Sequence, residues 1–378
     1  MGDATGAHQD LHSDQGARPG EHAGRSRNPI IKVQDIAWLA LEKPDLLRAE
    51  AFAQAFGFST AYRSDNELHL RGTDPGAPCL IVQRGTRSRF LGVAFTAQDR
   101  ADLTRLANAL GTGARPLPDS LGGLAVDLVD PSGIPVRVVA ETHATAALPL
   151  QTPQVLNIGR DRLRTNATQR PMRRPARVQR LGHVVLQSTK YTEALNWYLD
   201  HLGMIVSDFL YFPGQRDLGP TMSFIRCDRG DTPADHHTLA MALGPRNRYV
   251  HSAYQVSDMD AMAAGGEYLR DRGYHRSWGI GRHIQGSQIF DYWRDPDGLL
   301  VEHFADGDMF DSTLEPGWAA FTATGLAQWG PPVSKDFLGI APGRESIAEL
   351  RSMLSAVRDD GNEFTLTRLR GLMKVASS

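Results

Sequence analysis

Cysteine is nearly absent from this chain of 378 residues: Cys79 and Cys227 stand one in each half. Two thiols so placed exclude a disulfide framework and a thiolate zinc site, and they fit a reducing, cytoplasmic setting. Long apolar runs are absent as well. No stretch approaches the ~20 residues that span a bilayer, so no membrane partner is expected. Charge of one sign is also missing, since 41 Lys and Arg against 43 Asp and Glu leave a formal net charge of -2. That balance gives nucleic acid no electrostatic footprint. Residues 1–29 lack an apolar stretch altogether, which excludes a secretory signal. They read as a disordered leader with too little apolar surface to offset its ordering entropy, and His8, His12 and His22 read as solvated.

What is there is a chain too long for one ordinary core, so two domains are expected. A weak internal repeat divides it. Ile36-Ala37-Trp38-Leu39 reads as a strand and is followed by a helical stretch from Leu47 to Gly57. Gly182-His183-Val184-Val185 is likewise followed by Thr192 to Gly203. In the second copy Leu195, Tyr198, Leu199 and Leu202 form an apolar helical stripe. Gly57 and Gly203 sit where a left-handed terminator belongs. The ends also match, Asp130-Pro131-Ser132-Gly133 against Asp295-Pro296-Asp297-Gly298, each a turn leading into an apolar strand. Second helices are expected over Arg100 to Leu110 and Met259 to Arg272, with Gly265-Gly266 as an interruption or boundary. A polar, Arg- and Pro-rich stretch from Leu156 to Arg177 separates the halves.

The repeat contains its own control. Counted from the helix-ending glycines, His183 faces Ala37; counted from the turn glycines Gly133 and Gly298, Glu302 faces Arg137; His251 faces approximately Leu91. Residues needed only for folding should persist in both copies. Loss of all three together points to chemistry in the second copy alone. Taken singly, a strand histidine is more often a hydrogen-bonded core residue than a ligand.

Four stretches resemble one known family. They are Leu181-Gly182-His183-Val184-Val185-Leu186, Asp235-His236-His237-Thr238-Leu239-Ala240, Tyr249-Val250-His251-Ser252-Ala253-Tyr254, and Gly281-Arg282-His283 through Tyr292 to Val301-Glu302. Together they resemble the type I extradiol ring-cleavage dioxygenases of the vicinal oxygen chelate superfamily, over about Ile30 to Asp311. Asp291 departs from the pattern, which prefers an apolar residue before the tyrosine. The resemblance implies an α+β fold of two tandem domains, each built of paired βαβββ modules curved around a site. It implies aromatic-compound catabolism: extradiol cleavage of a catechol-type diol by dioxygen at non-haem Fe(II), with Mn(II) as the other candidate metal. It also implies His183, His251 and Glu302 as ligands, His237, His283 and Tyr292 as catalytic residues, and a homo-oligomer. Two imidazoles and a carboxylate on one face of a metal leave adjacent positions open, as this chemistry requires. Strand alternation would turn His236 and His303 away from the site. Rival readings are a metal-dependent isomerase, lyase or transferase of the same superfamily, and a non-catalytic aromatic-binding protein.

The expected organisation is thus a leader over 1–29, a metal-free N-terminal domain over 30–145, a linker over 146–177, a catalytic domain over 178–311 and an extension over 312–378. In the extension, Ser346-Ile347-Ala348-Glu349 has the form of a capping box ahead of Leu350, Met353, Leu354 and Val357 on one face. An arm packed on the barrel is the plain reading, and Trp329-Gly330-Pro331-Pro332 is its expected anchor.

Overall fold

Each half begins the same way, with a strand, a capped helix and a glycine that stops it. In the first, Asp35–Lys43 leads to the helix Leu46–Phe56, where the Asp45 carboxylate accepts from Arg48 N. Gly57 ends it at φ 120°, and a Cβ there would collide with the carbonyl of Ala176. In the second, Leu181–Ser188 leads to the helix Tyr191–Leu202, closed by Gly203 in the left-handed region. The expected stripe Leu195, Tyr198, Leu199 and Leu202 is fully buried against the sheet.

The computed structural model describes residues 13–338 and 344–376. Its two large curved sheets repeat one strand order. The first runs Ser59–Arg63, Glu67–Arg71, Leu80–Arg84, Asp35–Lys43, Arg89–Thr96, Pro135–Ala140, Leu124–Val129, Arg115–Pro116. After two added edge strands, Asp14–Gln15 and Gly317–Ala320, the second runs Met204–Tyr211, Met222–Cys227, Leu239–Leu243, Leu181–Ser188, Arg248–Gln255, Leu300–Ala305, Ile289–Arg294, His275–Arg282. Each is two βαβββ units joined by the antiparallel pairing of their first strands. The second helices, Arg100–Ala109 and Met259–Asp271, lie where the pattern put them. Gly265 and Gly266 do not interrupt the latter. Both are buried within it, and their missing side chains admit Ala176 and the Arg276–Asp291 pair. Among the described residues no helix is long and apolar enough to cross a membrane.

The turns that ended each repeat dock the halves together. Buried Lys43 bridges to Asp295 and, at 3.1 Å, to Asp297. In return Tyr198 donates to Asp130 at 3.1 Å, while Ser132 and Ser188 share a hydrogen bond of 2.6 Å.

Sheet registers correct the repeat alignment. His183 lies opposite Ala253, which lies opposite Glu302, and Glu302 lies opposite Tyr292. The matching row in the first half is Trp38, Ala94, Arg137 and Asp127. His183 therefore corresponds to Trp38, not Ala37, and His251 to Gly92, not Leu91; Glu302 against Arg137 holds. The cause is length: Tyr191–Leu202 has 12 residues and Leu46–Phe56 has 11. A register anchored after the helix slips by one in the strand before it. Trp38 fills that place with apolar bulk among Ile81, Ala94 and Val139. Arg137 pairs with Asp127 at 2.6 Å.

The leader also differs from expectation. Asp14–Gln15 adds a strand to the second sheet beside Gly317–Ala320. Arg216 holds Asp14 at 2.6 Å and Glu21 at 2.7 Å, and His22 bonds Asn196 at 2.8 Å. Edge pairing and ionic contacts offset the ordering entropy here, and composition registers neither. His8 and His12 lie outside the described residues. In the extension the helices Arg344–Arg358 and Leu366–Ala376 pack on the second half through Ala356, Val357 and Phe364. Leu354 is exposed, off the expected face. The side chains of Ser346 to Leu350, the expected capping box included, lie outside the described residues. The Glu363 carboxylate accepts from Thr192 N and Glu193 N at 2.9 and 3.2 Å. It thereby caps a helix whose own N-cap residue, Lys190, offers no side-chain cap.

Candidate metal centre

Opposed residues on neighbouring strands project to the same face of a sheet. The row His183, Ala253, Glu302, Tyr292 therefore shares one face across four strands, and His251, two residues before Ala253, joins it. Ala253 is small enough to leave an opening between the imidazole and the carboxylate. A bulge at Gly182 re-aims His183, and a Cβ at Gly182 would collide with the ring of Phe304.

The outcome is a compact cluster. His183 Nε2 lies 3.5 Å and His251 Nε2 3.3 Å from Glu302 Oε2, and the three ligand atoms fall within 4.8 Å of one another. Glu302 is wholly buried, yet neither carboxylate oxygen has a hydrogen-bond partner. Burial works to raise its pKa, but the two imidazoles overcome that and hold it well below the usual carboxylate range. Burial lowers the pKa of His183, favouring the neutral ring that ligates metals. A buried carboxylate without a donor costs several kcal/mol unless a cation compensates it. The donor set of two neutral nitrogens and one oxygen suits a first-row divalent ion.

The other three expected residues surround this cluster. The His237 ring lies 3.9 Å from that of His183, and burial depresses its pKa strongly. His283 Nδ1 donates to the Leu326 carbonyl at 2.7 Å. Its Nε2 is therefore free to accept from the Tyr292 hydroxyl at 2.9 Å. That same Nε2 is 3.9 Å from Glu302 Oε1. Burial, and then Glu302, raise the Tyr292 pKa well above its usual value. Asp291 does not disturb this face. Strand alternation turns it away, into a bidentate pair with Arg276 at 2.7 and 2.9 Å.

A small cavity of about 70 Å³ opens beside the cluster. Its wall away from the ligands is mostly apolar, with Met222, Phe224, Leu326 and Phe337 prominent and, among the described residues, no lysine or arginine in its lining. Leu326 and Phe337 come from the extension, which motif reading could not assign to the pocket. Phe337 stands edge-on to Tyr292 at 4.8 Å. The segment is pinned by Trp278 Nε1 donating to Pro331 O at 2.9 Å, within the expected Trp-Gly-Pro-Pro anchor.

His303 faces away, as alternation required, bonding Phe56 O at 2.7 Å and stacking on Phe56. His236 is likewise absent from the cavity lining, though not through strand alternation. It lies in irregular backbone after Ala234–Asp235, and its Nδ1 is 3.0 Å from His237 Nδ1. Sequence reasoning missed this contact because residues 236–238 are not extended strand.

Two tandem pairs of βαβββ units with a buried histidine-histidine-carboxylate cluster on one sheet define a single-metal enzyme of the oxygen-chelate type. Residues 180–303 match the model of the Glyoxalase/Bleomycin resistance protein/Dioxygenase superfamily. The chain is 30% identical to metapyrocatechase 2 of Cupriavidus necator, over 87% of this chain and 98% of that protein. It is 23% identical to biphenyl-2,3-diol 1,2-dioxygenase of Metapseudomonas furukawaii, over 81% and 96% of the two chains. Among solved structures, the Mn(II)-bound glyoxalase from Novosphingobium aromaticivorans aligns with a TM-score of 0.67 at 22% identity, over 81% of this chain and 94% of that one, and shares the fold. The chain belongs to this superfamily and stands with its extradiol dioxygenases.

Proposed function

We propose that the protein opens the ring of a catechol beside its two hydroxyls, inserting both atoms of dioxygen, at an iron(II) ion held by His183, His251 and Glu302. The observation that carries this reading is Glu302, a fully buried carboxylate with two orphaned oxygens beside two imidazole nitrogens. Manganese(II) fits the same donors. The bound ion supplies the electron path by which dioxygen reacts with an otherwise inert diol. The remaining work belongs to the chain. His237 takes and returns protons beside the cluster. His283 and Tyr292, locked by the Leu326 carbonyl, present a fixed hydroxyl to a substrate oxygen. The apolar wall excludes water and selects diols whose ring substituents carry no charge. The first half offers Trp38, Gly92 and Arg137 at the equivalent places, so it brings no fourth ligand of the kind a two-domain isomerase draws from both halves.

Domains over 30–145 and 178–311, a homo-oligomer and a cytoplasmic location belong to the same reading, and light scattering and cell fractionation check the last two. The test of the function is oxygen uptake by the Fe(II)-loaded protein with catechol. One dioxygen consumed per diol, with a new visible chromophore, is the expected result; metal-dependent binding of catechol without uptake would refute it.

A further inference from the structure

Behind His237 lies a second buried polar group that the metal cluster does not explain. His236 is 0% exposed, and its Nε2 lies 2.7 Å from Asp208 Oδ2 while its Nδ1 lies 3.0 Å from His237 Nδ1. The arrangement is clamped from every side. Ser207 Oγ donates to the His236 carbonyl at 2.6 Å, and His236 N donates to Asp308 O at 2.8 Å. Ser13 Oγ donates to Asp208 Oδ1 at 2.9 Å. The rings of Phe224 and Phe310 flank the imidazole at 5.3 and 5.6 Å. Two glycines permit the fit. A Cβ at Gly286 would lie 2.9 Å from His236 Nδ1, and one at Gly317 would collide with the Asp208 carboxylate.

We propose that Asp208 and His236 are positioning residues that fix the tautomer of His237. This deepens the dioxygenase reading and rests on it. A carboxylate only accepts hydrogen bonds, so the proton of His236 stays on Nε2 and its Nδ1 becomes an acceptor. His237 must then donate from Nδ1, which leaves its Nε2 as the bare nitrogen available to the cavity it lines. When a diol hydroxyl gives up its proton, the O–H bond breaks and an Nε2–H bond forms. The imidazolium so made stays hydrogen-bonded to His236 and, through it, to Asp208. The pair acts on a residue that touches substrate, as a buried carboxylate orients the base of a hydrolytic triad.

The ring state of His237 can be read without turnover, so this proposal and the dioxygenase reading fail separately. In the full chain loaded with Zn(II), nitrogen-15 spectra of the histidine rings should show His237 protonated at Nδ1 and bare at Nε2. A His237 carrying its proton on Nε2 in the unaltered protein overturns the proposal, whatever the variants do. In the Fe(II) enzyme, Asp208→Ala and His236→Phe should each lower kcat by roughly 10²-fold, with KM for catechol and iron content unchanged and the Nδ1–H signature lost. Unchanged kcat, or loss that tracks loss of iron, would show a packing role only and would equally overturn it.

Discussion

A negative charge on the substrate ring should be penalised heavily, because the described cavity wall away from the ligands offers the amides of Gln285 and Gln288 but no cation to receive it. Among the described residues its lining holds no lysine or arginine, and the surface facing away from the ligands presents Met222, Phe224, Leu326 and Phe337. Burying an unpaired carboxylate costs several kcal/mol. Allowing for residual solvent at the cavity mouth, a loss of about 3 kcal/mol is reasonable, equivalent to roughly 150-fold in kcat/KM. A carboxylated catechol should therefore be turned over that much less efficiently than 4-methylcatechol, a diol of similar size. Met222 begins the strand Met222–Cys227 and is only partly buried. Its unbranched stem can be replaced by a lysine whose ammonium reaches the cavity mouth. Met222→Lys should narrow the gap to under about ten-fold, mainly by improving the charged substrate. Oxygen-electrode kinetics on both diols and both proteins decide the matter. Equal efficiency on the two diols in the unaltered protein would refute the reasoning, since a cation absent from the described lining would then be receiving the carboxylate.

Trp38 fills the place in the first half that His183 occupies in the second, and it is almost fully buried. Trp38→Ala should cost about 3–5 kcal/mol of stability by denaturant unfolding, with iron content per folded chain unchanged; loss of iron would mean that the first half supports the metal. Glu363 caps the helix Tyr191–Leu202 from the extension. Glu363→Ala should cost about 1 kcal/mol in the same assay, and no loss would show that the cap contributes nothing in solution.

The repeat was legible because its punctuation is chemical: glycines after helices and Asp-Pro-x-Gly turns before strands need particular backbones. The shared strand order of the two sheets follows that punctuation. The register within the first strand was not legible, because one additional helical residue moved the count and only sheet hydrogen bonds restore it. The six expected site residues do converge, since strand alternation governs His183, His251, Tyr292 and Glu302. Alternation fails at His236, where the chain leaves the sheet, and the second buried hydrogen-bonded group was missed for that reason. The pocket wall supplied by Leu326 and Phe337 was beyond reach too. An arm packed on the barrel was expected, but no local pattern reveals that these two of its side chains enter the pocket wall. Ordering of residues 13–29 escaped the composition argument because a few ionic contacts to Arg216 and one edge strand offset the entropy.

Iron content and oxygen uptake, measured on the same anaerobically loaded samples of the unaltered chain and of Glu302→Ala, test the central claim most directly. The account predicts one iron per chain and catechol-dependent uptake in the first, and neither in the second. A Glu302→Ala protein that keeps both would contradict it.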